Sequence, residues 1–209
     1  MITTGIMEIL HDAIQIYDKL CGKKYLIAFG SKNDYKFVQI IIKQSSFWHL
    51  LGCVLEADNN EGKNDTYNKC KNKINVAEKI SSVHSFSEIK EKYEAMQNVF
   101  DFVTNAKQVK VGYAVGCPEE YLFKIGTGNN NGIVGYDYPN QGNSNLLFPK
   151  SAQLKSISKI SKTTYKILVI LSKNIDEKDY HNIEYEIKEN IHLEILKYLP
   201  VEIKTFTKI

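Results

Sequence analysis

The sequence predicts an α+β fold: an N-terminal helix and hairpin, two central helices packed on an antiparallel sheet of four to five strands, and a C-terminal helix. Three observations carry this. Helical periodicity dominates the first half of the chain. Short strand-like runs punctuated by Gly, Pro and Asn dominate the second half. The two patterns do not alternate regularly, which sets the chain apart from a doubly wound sheet. With 209 residues, 43% hydrophobic and 24% charged, it has material for a substantial core and reads as a single domain over 1–209.

Residues 4–21 have Ile6, Leu10, Ala13, Ile14, Tyr17 and Leu20 on one stripe, with Thr3 or Thr4 to cap the helix and Gly22 to end it. Two strands follow, 24–29 and 35–42, and Gly30-Ser31-Lys32-Asn33-Asp34 between them is turn chemistry, so a hairpin is expected. Ser45 or Ser46 then caps a short helix through Trp48, His49 and Leu51, with Gly52 at its end. The polar stretch 57–65 reads as a loop. Residues 66–80 carry Tyr67, Cys70, Ile74, Ala77 and Ile80 at helical spacing. Ser85-Phe86-Ser87-Glu88 is a capping box opening a helix to about residue 104.

From Lys107 the pattern shortens to strands at 109–115, 120–125, 133–138 and 146–148, with Asn131-Gly132 as the strongest hairpin signal. Residues 163–171 look like a buried central strand. Ile183, Ile187, Ile191, Ile195 and Leu199 suggest a helix over 180–199, stopped by Pro200.

Composition narrows the function classes. Net charge is only +3, so nucleic acid is a permitted partner rather than a demanded one. All 27 basic residues are lysines, so any phosphate contact falls to lysine, histidine, hydroxyls or backbone amides instead of a guanidinium fork. Cys21, Cys53, Cys70 and Cys117 form no CxxC pair, which suits a reducing, cytoplasmic setting. The N-terminus shows no basic leader followed by an apolar run, so no signal peptide is expected. No window reaches the roughly 18 apolar residues of a membrane span.

Among motifs, Gly126 to Gly132 lacks the Gly-Lys-Ser/Thr ending of a phosphate loop and reads as a turn. Glu186, Glu189 and His192 share a possible helix face but match no metal-ligand spacing, so no metal or cofactor is expected. Cys53 reads as a buried small residue. His49 is the residue of interest. An imidazole fixed on a short, aromatic-anchored helix has the titration range and restricted rotamers that proton transfer needs; the same pattern also suits a satisfied, partly buried histidine.

Two strands, then Phe47-Trp48-His49-Leu50-Leu51-Gly52, then two helices and a meander: this arrangement resembles the barnase/EndoU/colicin/RelE-like superfamily of nucleases, in its phage and mobile-element branch. The carrying motif is aromatic-x-His-Leu-x-Gly. Tyr67 with residues 69–74, the element Phe148-Pro149-Lys150-Ser151, and the strand 163–168 support it. The resemblance covers about residues 24–187, leaving 1–22 and 188–209 as peripheral helical extensions.

The resemblance implies a metal-independent endoribonuclease in which the RNA 2′-hydroxyl attacks the adjacent phosphorus. His49 would be the general base or acid, and Ser151 and Thr164 would donate to phosphate. Lys150, Lys166 and Lys124 would neutralise developing charge, and Tyr121, Tyr136 and Tyr165 would stack bases. It implies RNA as partner, with an immunity or antitoxin protein as a further one. A second reading keeps the fold but not the chemistry: a catalytically inactive RNA- or protein-binding module, such as a phage-borne inhibitor of a host system.

Overall fold

The computed structural model describes residues 3–32, 34–57, 59–115, 123–138 and 146–204. Helix α1 (Thr4–Asp18) starts where Thr3 Oγ1 accepts the Ile6 amide at 3.3 Å, satisfying one of the free N–H groups of the first turn. Strands β1 (Lys23–Ser31) and β2 (Asp34–Ile42) form the expected hairpin in unbroken register from Lys23–Ile42 to Ser31–Asp34. Gly30, at φ +127°, takes a backbone conformation that a side chain would resist. The segment expected as a peripheral extension supplies Leu10, Ala13, Ile14 and Tyr17, all fully buried, to the main core.

After β2 come a 3-10 turn (Gln44–Ser46), α2 (Phe47–Leu51) and β3 (Cys53–Leu55), then α3 (Asn60–Lys71) and β4 (Ile80–Val83), which pairs with β3 as a separate ribbon. Helix α4 (Phe86–Val99) opens on the capping box: the Ser85 amide donates to Glu88 Oε2 at 2.9 Å, and the Glu88 amide donates to Ser85 Oγ at 3.3 Å. The chain continues through β5 (Lys110–Tyr113), β6 (Ile125–Gly128), β7 (Ile133–Asp137), β8 (Leu146–Gln153), α5 (Ile157–Ile160), β9 (Thr164–Asn174), β10 (Asn182–Glu186), α6 (Ile191–Ile195) and α7 (Val201–Lys204).

The sheet has eight strands, not four or five, in the order β1-β2-β8-β7-β6-β5-β9-β10. β9 also pairs with β1, so seven of these strands close on themselves. Every pairing in the sheet is antiparallel except β2–β8, which spans only Gln39–Leu146 and Ile40–Leu147. One face meets four helices rather than two: Tyr25, Ile27, Ile40, Val134, Tyr136 and Ala152 share a core with residues of α1, α2, α3 and α4. On the other face, Leu26, Ala28, Leu168 and Leu171 pack with Ile191 and Ile195 of α6, and Phe123 and Ile133 pack with Ile157 and Ile160 of α5.

Three other expectations are corrected. The helix expected over 66–80 lies at Asn60–Lys71, because Asn59 Oδ1 caps it by accepting the Gly62 amide at 2.8 Å. The expected helix over 180–199 is split into β10 and the five-residue α6. Beyond β5, the long strand β9 has an edge at Val169–Ser172 that would lose its ladder bonds without β10, and that demand overrides the fourfold isoleucine spacing. The strand expected at 120–125 is β6, so Gly126 to Gly128 belong to a strand and the turn is confined to 129–132; residues 120–122 lie outside the described residues. Among the described residues no helix is long and apolar enough to cross a membrane.

Candidate active site

The 3-10 turn after β2 runs directly into α2. Four of its five side chains, Phe47, Trp48, Leu50 and Leu51, are buried, and only His49 is exposed. The burial fixes the helix. Phe47 makes edge-on ring contacts with Tyr17 at 5.3 Å and with Tyr67 at 5.5 Å, and Trp48 Nε1 donates to the Lys63 carbonyl at 3.2 Å. Neither Ser45 nor Ser46 caps the helix with its side chain, contrary to expectation. Gly52 ends it as expected, at φ +75°, its amide donating to the His49 carbonyl at 3.1 Å. The His84 ring lies against Gly52, and the His84 amide donates to the Gly52 carbonyl at 3.2 Å. A five-residue helix this heavily anchored leaves His49 a defined position.

That position is beside β8. Because β2 pairs with β8 over two residues only, the 148–153 part of that edge has no strand partner among the described residues, and α2 and α4 pack there instead. A register shift between Gly135 and Tyr136 places Lys150 at a bulge, where its ammonium meets Asp137 Oδ2 at 3.0 Å. Lys92 of α4 reaches the same strand, its Nζ donating to the Ala152 carbonyl at 3.5 Å.

The electrostatics follow from this packing. Partial burial, then the charges of Lys63 and Lys150, hold the His49 imidazole below its usual 6.5. The ring is therefore neutral at physiological pH and able to accept a proton. Burial pushes the nearby Cys53 thiol up to about 12, so this residue is packing rather than nucleophile.

The structure brings together some of the residues expected at the site and separates others. His49 and Lys150 are close enough for the lysine charge to act on the ring; Ser151 follows Lys150 on β8 but is buried and turned to the α5 face of the sheet. Thr164 is elsewhere. A row of cross-strand partners runs Ser151–Gly135–Gly126–Gly112–Thr164, four strand spacings and about 19 Å along the sheet. The glycines in that row seat α5 and its flank: a Cβ on Gly112 would meet Ser161 Cβ at 2.7 Å, and one on Gly126 would meet Ile160 Cδ1 at 3.3 Å. Ser151 and Thr164 therefore cannot serve one phosphate, because a packed layer of side chains lies between them.

Lys166 is exposed opposite Lys110, at the Thr164 end of that row. Tyr165 lies half-buried beneath the Lys36 ammonium, 4.9 Å from its ring centre, and Lys124 stands 5.1 Å over Tyr138. Tyr136 is corrected outright. Its side chain is fully buried in the main core and its hydroxyl lies 2.9 Å from Thr127 Oγ1, so it has no face to offer a base. Tyr121 lies outside the described residues.

Two residues at the site escaped the sequence reading. Lys63 falls in the stretch read as a loop. Lys92 borders the apolar stripe of α4, one place before Tyr93, and that flanking position was the available signal. Glu186 and His192, weighed as metal ligands, bond each other at 2.5 Å; among the described residues no group of three or more metal-ligating side chains is present.

The family model for phage-Barnase-EndoU-ColicinE5/D-RelE like nuclease4 matches residues 9–189. The chain belongs to this nuclease family. The matched span runs from within α1 to just past β10 and so contains α2, β8 and every site residue named above. Comparison with the curated proteins and with the solved structures gave no match.

Proposed function

We propose that this member of the family is a metal-independent endoribonuclease with His49 as the general base. One observation carries the reading: an exposed imidazole on a rigid five-residue helix, kept neutral by partial burial and then by two lysines that also suit an anionic substrate. Neutral His49 removes the proton from a ribose 2′-hydroxyl, the resulting oxygen attacks the adjacent phosphorus, and the bond to the 5′-oxygen breaks as that oxygen takes a proton from solvent water. The products are a 2′,3′-cyclic phosphate and a free 5′-hydroxyl. Lys150 and Lys63 offset the charge that builds on the phosphorane oxygens, a task that falls to lysine in a chain without arginine. Ser151 follows Lys150 but turns toward the α5 face of the sheet, opposite α2, so it is not assigned to this phosphate. Thr164 and Lys166 are too far along the sheet to join it.

The test is cleavage of a single-stranded RNA in excess chelator. The wild type is expected to yield cyclic-phosphate ends. His49→Ala is expected to yield none while keeping the wild-type melting temperature, since the His49 side chain is exposed and carries no core packing. An active His49→Ala protein removes the proposed base, and a wild type that binds RNA without cutting it restores the binding-module reading.

A further inference from the structure

Transphosphorylation needs two proton transfers, and His49 as base performs only the first. The 5′-oxygen leaves as an alkoxide unless a proton reaches it, and an imidazole is the side chain best matched to deliver one near neutral pH. A second imidazole stands beside the helix that carries the first. Gly52 follows His49 by three positions, so the two are surface neighbours about 5–6 Å apart, and the Gly52 amide closes the turn on the His49 carbonyl at 3.1 Å. The His84 ring covers that glycine. The atoms nearest a Cβ built on Gly52 are His84 Cδ2 and Cγ at 2.8 Å and Nδ1 at 3.0 Å, so a ring face rests there and Nε2 takes no part in the contact. The His84 amide donates to the Gly52 carbonyl at 3.2 Å, next to the Cys53–Val83 pair of the β3–β4 ribbon, which ties the second imidazole to the end of α2. Both histidines are exposed. Glu88 sets its Oε1 3.9 Å from His84 Nδ1 and forms an ion pair with the ring whenever the ring is protonated. The Ser85 hydroxyl and amide fix that carboxylate at 2.7 and 2.9 Å and hold it below the usual carboxylate range, so it is ionised at neutral pH; Lys92, one turn further along α4, adds to the same effect.

We infer that His84 is the general acid of this site, delivering a proton from Nε2 to the departing 5′-oxygen. This rests on the ribonuclease reading and on His49 as base. His49 takes the 2′-hydroxyl proton, the bond from the 2′-oxygen to phosphorus forms, the bond from phosphorus to the 5′-oxygen breaks, and His84 gives that oxygen its proton. Water then reprotonates His84 and receives the proton held by His49, so solvent remains the source and His84 is the carrier. Glu88 is a positioning residue: an anion on the Nδ1 side orients the ring and leaves Nε2 as the donor.

The experiment uses the full chain in excess chelator and a 2′-O-methylated RNA oligomer with a single ribonucleotide, made with each of the four bases. The one cleavable linkage ends either in the natural 5′-oxygen or in a 5′-sulfur, which leaves as a thiolate and needs no proton. His84→Ala is expected to cut the oxygen linkage at least about 100-fold more slowly than wild type, and the sulfur linkage at close to the wild-type rate. His49→Ala is expected to lose both. His84→Gln, which keeps a side chain over Gly52 but cannot act as an acid, is expected to show the same split and decides the matter should the Ala variant fail to fold. Equal slowing on the two linkages makes His84 structural and overturns the proposal, as does an oxygen linkage cut at the wild-type rate. A wild type that cuts neither linkage, nor unmodified RNA, overturns the ribonuclease reading itself and the role of His84 with it.

Discussion

Gly52→Ala probes the joint that holds His49. The residue sits at φ +75°, ψ 31°, the left-handed region, where a Cβ costs about 1–2 kcal/mol. The new Cβ would also meet the His84 ring at 2.8 Å, closer than carbon atoms tolerate. Because that ring is about half exposed, it can swing outward, so the steric part falls at the low end of overpacking costs, about 1 kcal/mol. The expected total is about 2–3 kcal/mol, or a melting-temperature drop of about 4–12 °C for a chain of this size. The assay is thermal denaturation of a double-mutant cycle. On a His84→Ala background the ring is gone and only the backbone part remains, so the two costs should differ by about 1 kcal/mol. RNA cleavage should fall in Gly52→Ala, since the residue closes the helical turn that begins at the His49 carbonyl. Equal costs in the two backgrounds would refute the ring contact, and no cost in either would refute the left-handed cap.

Two further outcomes follow from charge and burial. Lys63→Gln removes one of the two charges that depress His49, so the acid limb of cleavage, which lies below pH 6.5, should move up toward that value. The sign for stability agrees: a folded imidazole with a lowered pKa binds fewer protons than the unfolded one, so stability falls as pH drops below 6.5, and less steeply in the variant. An acid limb that stays in place separates Lys63 from the ring. Tyr136→Phe leaves the Thr127 hydroxyl without its 2.9 Å partner in a dry interior, a cost of about 1–3 kcal/mol by denaturant titration, with affinity for single-stranded RNA unchanged. Weakened RNA binding at full stability would return Tyr136 to base stacking.

What could be read from the residues shares one property: the atoms involved are close in sequence. The Ser85–Glu88 capping box, the left-handed Gly52, the 30–34 turn and the Asn131-Gly132 turn are each completed by groups within a few positions. His49 stood out for the same reason, since its aromatic and aliphatic neighbours already specified a buried helix with one odd polar member. Where a local signal misled, a stronger local signal had been overlooked or a distant partner prevailed. Asn59 capped α3 earlier than the apolar spacing suggested, and the β9 edge drew residues 182–186 into the sheet.

By itself, then, the sequence determined the α+β class, the N-terminal helix and hairpin, the start of α4, and the histidine at which a nuclease family resemblance converges. Tertiary structure alone decided that eight strands pair and seven of them close, that Thr164 lies four strands from Ser151, and that Lys63 and Lys92 approach the site. The physical reason is range. Caps and turns are settled by hydrogen bonds to nearby backbone, whereas strand pairing and the placing of a charge depend on segments whose proximity only the folded chain creates.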